Sequence, residues 1–167
     1  VRIVSPGGYT PVEMDPRRVR RVVRNLLGNA IEHGEGRPIV ITVDSDQEAV
    51  AIGVRDFGLG MKPEDVERVF DRFWRADPSR KRSIGGTGLG LSIALGDARL
   101  HHGTLGVWSQ LGQGTHFVLT LPRSGAIMNP DSPIRLEPDE GAAAALEALG
   151  ATEPIDVSTL IELNRMD

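Results

Sequence analysis

The chain has 167 residues, 40% hydrophobic and 25% charged, with no cysteine and a formal net charge of −4. These figures fit an ordinary globular domain and exclude a disulfide framework or a thiolate metal site. No apolar run approaches the roughly 18 residues a membrane helix needs, and no signal peptide is visible.

The first residue is Val1 rather than Met. We therefore expect an excised piece of a longer protein, whose membrane anchor would lie outside this sequence. Residues 126–167 hold 9 Asp and Glu against 2 Lys and Arg, whereas residues 1–125 hold 14 against 17. A mildly basic body thus carries an acidic tail. The basic residues are scattered, and the dense group Arg80, Lys81 and Arg82 lies beside a glycine loop, so nothing argues for nucleic acid.

Val1–Val4 is a candidate edge strand. Apolar Val19, Val22, Val23, Leu26, Leu27 and Ala30 recur on one helical face, which predicts a helix over 16–33. Asp15 suits its N-cap, Pro16 its first position and Gly34 its end. Asn25 and Asn29, four apart, share a flank of that helix, with Arg21 one turn earlier. Asparagine disfavours helix interiors, because its amide competes with the backbone. The pair is either a solvated face or two neutral oxygens aimed at a hard cation such as Mg²⁺.

Residues 38–44 and 49–56 read as a hairpin of two strands. Val50, Ile52, Val54 and Asp56 alternate, so Asp56 either extends the buried face or belongs to an exposed turn. A buried lone carboxylate needs donors, and the amino group of a ligand such as adenine would supply one. Gly58 and Gly60 would let the chain turn tightly and leave room for a flat ring. Asp56-Phe57-Gly58 spells the DFG of eukaryotic-type protein kinases, but the accompanying H-R-D, V-A-I-K and A-P-E motifs are missing. P-loop and Rossmann glycine patterns are missing as well.

Pro63–Val69 predicts a short helix. Phe70, Phe73 and Trp74 then concentrate aromatics in a chain that has few, which suits a hydrophobic plug anchoring a polar loop over 71–86. Arg75 is a candidate for a phosphate contact, whereas Arg80, Lys81 and Arg82 read more simply as solvated. Gly85-Gly86-Thr87-Gly88-Leu89-Gly90-Leu91-Ser92 opens a helix over about 88–101. Bare N–H groups at a helix start favour an anion such as phosphate. Strands over 104–109 and 115–121 flank the turn Leu111–Gly114, with His116 mid-strand in a surface role. Pro122 ends the ordered pattern. Residues 123–167 read as a largely disordered tail rich in Pro, Ala and acid, in which 141–149 is too short for a stable helix alone. Hairpins at both ends favour a two-layer α/β sandwich with a mixed sheet over residues 1–122.

In this order the segments resemble the ATP-binding domain of bacterial sensor histidine kinases, within the wider gyrase–Hsp90–kinase–MutL ATPase group. Asn25-Leu-Leu-Gly-Asn29-Ala30 is similar to the N box, Asp56-Phe-Gly-Leu-Gly60 to the G1 box, Phe70–Phe73 to the F box and Gly86-Thr-Gly-Leu-Gly90 to the G2 box. Arg72–Arg80 resembles the MtrB-type branch of actinobacteria. The resemblance implies a Bergerat sandwich, a mixed and mostly antiparallel sheet on three helices. Asn29 would be the main Mg²⁺ ligand, assisted by Asn25. Asp56 would read the adenine amino group beside His33, Gly58 and Gly60. Residues 71–85 would form a lid, and Gly86, Thr87, Gly88, Leu89, Gly90 and Leu91 would contact the phosphates of ATP, with Phe70 and Arg75 at the lid base.

It also implies partners: a dimerisation domain carrying the phosphoacceptor histidine, and a response regulator. The parent would be a membrane-anchored homodimer, and this piece a soluble, monomeric cytoplasmic domain. None of His33, His101, His102 or His116 has the H-[ED]-x-[RK] context of an acceptor. Hydrolysing relatives place a Glu where this chain has Asn25, so we expect phosphoryl transfer with weak hydrolysis. Glu32 stands where many members have Lys, and His102 where the family more often has Gly. A hydrolysing or serine-phosphorylating relative and a degenerate docking module are the competing readings.

Overall fold

Helix α1 (Pro16–His33) begins where its capping signals lie. The Asp15 carboxylate accepts the N–H groups of Arg17 at 2.9 Å and Arg18 at 3.3 Å, and Gly34 caps the other end. Val19, Val22, Leu26 and Ala30 form its buried stripe. The structure, a computed structural model, describes residues 1–7, 10–75 and 88–138.

Strand β1 (Arg2–Val4) precedes α1, and β2 (Ile39–Ser45) and β3 (Ala49–Asp56) follow it as a hairpin. Asp46 makes the turn by accepting the N–H groups of Glu48 and Ala49, both at 2.8 Å. Helices α2 (Pro63–Val66) and α3 (Gly90–Leu100) come next, then the hairpin of β4 (Thr104–Gln110) and β5 (Gly114–Pro122). The sheet order is β1-β2-β3-β5-β4, with β1 parallel to β2 and every other pair antiparallel. Ile39, Val54, Phe117, Leu119 and Leu105 face Leu26, Ala30, Ala94 and Ala98 in one core. This is the two-layer mixed sandwich the sequence predicts. No described helix is long and apolar enough to cross a membrane.

Two expectations are corrected. Ordered chain does not end at Pro122. Arg123 N–H donates to Glu48 O at 2.8 Å, Asn129 N–H donates to His102 O at 2.8 Å, and Pro130 is buried. Ile134 and Leu136 lie over the sheet face opposite the helices, and all nine residues of β5 are buried. Counting the segment's few apolar residues misleads here, because the sheet supplies the other half of the contact. His116, expected at the surface, is only 7% exposed under this segment. Residues 139–167, with the candidate helix 141–149, lie outside the described residues.

Candidate functional site

Helices α1 and α3 run antiparallel, and polar contacts fix their register. Asp15 N–H donates to His101 Nε2 at 3.0 Å, Arg18 and Arg21 reach Asp97, and Asn25 Nδ2 donates to Gly90 O at 3.0 Å. Asn25 therefore stands against the first residue of α3. Asn29 lies one turn further, roughly 6 Å past the start of α3. It is half-buried, and its amide makes no hydrogen bond among the described residues. Leu89 occupies the N-cap of α3 and supplies no capping bond. Among the described residues no side chain accepts from the first-turn N–H groups of α3, which lie beside the two asparagines.

The other end of the site lies at the end of α1. Asp56 is 4% exposed, and its Cβ lies 3.8 Å from the Cβ position of Gly34. Its carboxylate accepts the N–H of Gly58 at 3.0 Å and a backbone bond from Thr115. Burial pushes this carboxyl above the usual aspartate range, while the Gly58 and Thr115 donors and the charges of Arg55 and His33 oppose that shift. Asp56 thus takes the interior reading rather than the exposed-turn one. Along α1, Asn29 and Asn25 lie roughly 7.5 and 13.5 Å from Gly34. That span suits an extended nucleotide, with its base at Asp56 and its phosphates toward α3.

The glycines after Asp56 are needed for another reason than ring space. A Cβ on Gly58 would stand 2.0 Å from His33 O, and one on Gly60, whose φ is +66°, 1.9 Å from Gln110 O. Leu59 N–H donates to His33 O at 3.2 Å and accepts Gly112 N–H at 2.7 Å through its own carbonyl. The loop is therefore sewn main chain to main chain between α1 and the β4–β5 hairpin. His33 takes part through its carbonyl and through its position near Asp56.

The aromatic plug is only partly as expected. Phe70 packs edge-on to Phe117 with ring centroids 6.2 Å apart, and Trp74 packs against the core. Phe73 instead points outward at 72% exposed with φ 62°, its N–H donating to Gly88 O at 2.8 Å. That bond ties the aromatic segment to the glycine loop. Arg75 is half-buried next to Trp74. Leu91 packs against the core, and Leu89 and Gly90 form the start of α3. Gly86, Thr87, Arg80, Lys81, Arg82 and lid positions 76–85 lie outside the described residues.

Three residues escape a sequence reading. Asp97, nearly buried, accepts bonds of 2.7 Å from Arg21 Nε and Nη2 and 3.0 Å from Arg18. Those bonds, the ones from Arg21 foremost, hold its carboxyl below the usual range. Arg55 lies between the rings of Phe57 and Trp108 at 4.7 and 4.8 Å and donates to Asp56 O at 2.8 Å. Thr115 pairs with Asp56 across β3 and β5. Only the strand register reveals the last two.

An α/β sandwich with a site of this shape defines a class of nucleotide-binding domain. Residues 14–125 match the model of the histidine kinase-, DNA gyrase B- and HSP90-like ATPase family, and the chain belongs to that family. It is 46% identical over 138 residues to the sensor histidine kinase MtrB of Mycolicibacterium paratuberculosis, covering 83% of this chain and 24% of that protein. The chain thus spans about a quarter of that relative's length. Among solved structures, full-length ShkA in complex with AMPPNP superposes with a TM-score of 0.64 at 27% identity, covering 80% of this chain and 27% of ShkA. The catalytic domain of histidine kinase ThkA gives 0.61 at 28% identity, covering 72% of this chain and 78% of that one. The fold is therefore that of histidine kinase catalytic domains, a Bergerat-type sandwich.

Proposed function

We propose that this chain is the catalytic ATP-binding domain of a sensor histidine kinase. It donates the γ-phosphoryl of Mg·ATP to a histidine on a separate dimerisation domain, for relay to a response regulator. The parent is then a membrane-anchored homodimer with this domain on the cytoplasmic side. The observation that carries the reading is the helix register, which sets Asn25 at the first residue of α3 and Asn29 one turn past it, with Asp56 at the opposite end.

The donor set suits magnesium in one way. No group of three or more His, Asp or Glu capable of holding a metal occurs among the described residues. Amide oxygens from Asn29 and Asn25 are hard donors that would complete a shell made mostly of phosphate oxygens and water, as Mg²⁺ prefers. The ion would supply charge neutralisation. The chain's own residues position the nucleotide: Asp56 accepts from the base, Gly58 and Gly60 bring main chain against it, and the first turn of α3 faces the phosphates.

Two of the histidines are already engaged. His101 bonds Asp97 O through Nδ1 and Asp15 N through Nε2, and His116 is buried. This supports an acceptor elsewhere in the parent. ATP titration with and without Mg²⁺, followed by incubation with a supplied acceptor domain, tests the proposal. Labelled acceptor and unlabelled fragment are expected. Tight binding without transfer would favour a docking module instead.

A further inference from the structure

The strand pairing places Thr42, Gly53, Val118 and Gly106 in one row across four strands. Their neighbours Val54, Phe117, Leu105 and Val107 belong to the core, so this row lies on the opposite face of the sheet. Two glycines flanking one valine leave a trough there. At Gly53 a Cβ would stand 2.8 Å from His116 Nε2 and 3.6 Å from Cδ1 and Cγ2 of Ile134, so the His116 ring and Ile134 share the space that this glycine leaves. Leu136 lies over Gly106 with its methyl carbons at 3.2 and 3.3 Å. In the next row, His116 Nδ1 stands 2.8 Å from Leu136 O and is the donor, because a carbonyl oxygen only accepts. Arg135 and Glu137, which alternate with the two anchors, are exposed.

The seat is shallow. Leu136 remains 38% exposed, and residues 133–138 form no strand ladder with the sheet. The recognition elements are nonetheless specific: a notch at Gly106 filled by Leu136, a place at Gly53 where Ile134 packs beside the His116 ring, and one ring N–H for the carbonyl of Leu136.

We propose that this trough is a binding groove for a short extended segment of the form Ile-x-Leu. Its occupant is residues 129–138 of the same chain, tethered at its start by the Asn129 N–H to His102 O and seated by Ile134 and Leu136, held as a strap that can leave. The groove lies on the face away from Asn29 and Asp56, so it is distinct from the nucleotide site. Its test does not depend on nucleotide binding.

The experiment uses the full chain carrying Leu136→Asp, together with a fluorescein-labelled peptide of residues 127–138 followed by anisotropy. The variant is expected to bind the peptide saturably. The unaltered chain, whose groove is filled in cis, should bind it at least tenfold more weakly. Adding Gly106→Val, which fills the notch whose nearest atoms are all from the Leu136 side chain, should remove peptide binding from the Leu136→Asp chain while its circular dichroism stays unchanged. Equal peptide binding by the unaltered chain and the variant, or no binding by a folded variant, would overturn the proposal.

Hydrogen exchange on the unaltered chain decides the matter even if the variants fail to fold. The Asn129 amide, bonded to His102 O, should be protected and lose that protection when unlabelled peptide is added in excess. Exchange at the free-peptide rate from the outset would refute the strap.

Discussion

Asn25 and Gly90 join the two helices that frame the site, the side-chain amide of one donating to the main-chain carbonyl of the other at 3.0 Å. The bond uses the nitrogen of Asn25 and leaves its oxygen without a donor among the described residues. Asn25→Ala should lose about 1 kcal/mol of stability with that bond. It should also weaken nucleotide binding by loosening the start of α3. A chain of ordinary stability and ordinary ATP affinity after this substitution, by urea titration and calorimetry, would contradict both points.

Asn29 differs, because its amide has no described partner to lose. Asn29→Ala should leave the melting temperature within about 2 °C, which corresponds to a change under roughly 1 kcal/mol. The increment in ATP affinity that Mg²⁺ confers should disappear. Equal affinities for ATP with and without Mg²⁺ in the unaltered chain would remove the metal role from this residue.

Asp56 should show stability and binding moving apart. Its carboxylate is buried with a raised pKa, so its charged form is a cost to the fold. Asp56→Asn should keep or raise the melting temperature and reduce ATP affinity at least tenfold, or about 1.4 kcal/mol. Calorimetry at pH 7 reads both quantities.

Asp97 sets the acid limit of the helix pair. Its folded pKa is depressed by Arg21 and Arg18, so its stabilising effect is fully present above the unfolded value and is lost as pH falls through the folded one. Stability should therefore decline from about pH 5 downward. Asp97→Asn should flatten that decline and cost about 1–3 kcal/mol at pH 7, because two guanidinium groups lose their carboxylate. Urea midpoints between pH 3 and 7 check the slope.

His102 carries a φ of 56° just after α3, a left-handed conformation that glycine adopts freely. The glycine that the family resemblance leads one to expect here would have a backbone explanation, and the histidine is a local strain. His102→Gly should stabilise the chain by about 1 kcal/mol and raise the melting temperature by about 2–4 °C.

The helices and strands were legible because their periodicity and caps agree: Asp15, Pro16 and the stripe from Val19 to Ala30 leave little freedom for α1. The two ends of the candidate site are proposed from Asn25, Asn29 and Asp56, where residue types that local structure disfavours call for another reason. Contacts between distant segments were not. The Asp97 clamp needs the antiparallel register of two helices, and Thr115 beside Asp56 needs the strand pairing. The seating of Ile134 and Leu136 depends on glycines some thirty to eighty residues away. The outward turn of Phe73 follows from a backbone bond to Gly88 that composition does not reveal.

The wall at Gly58 and Gly60 is built of carbonyls and α-carbons lying where any side chain would go. Main-chain atoms are common to every amino acid, so no single substitution elsewhere makes them recede. A ligand that presses on this loop would therefore meet atoms that exchanging one side chain for another leaves in place.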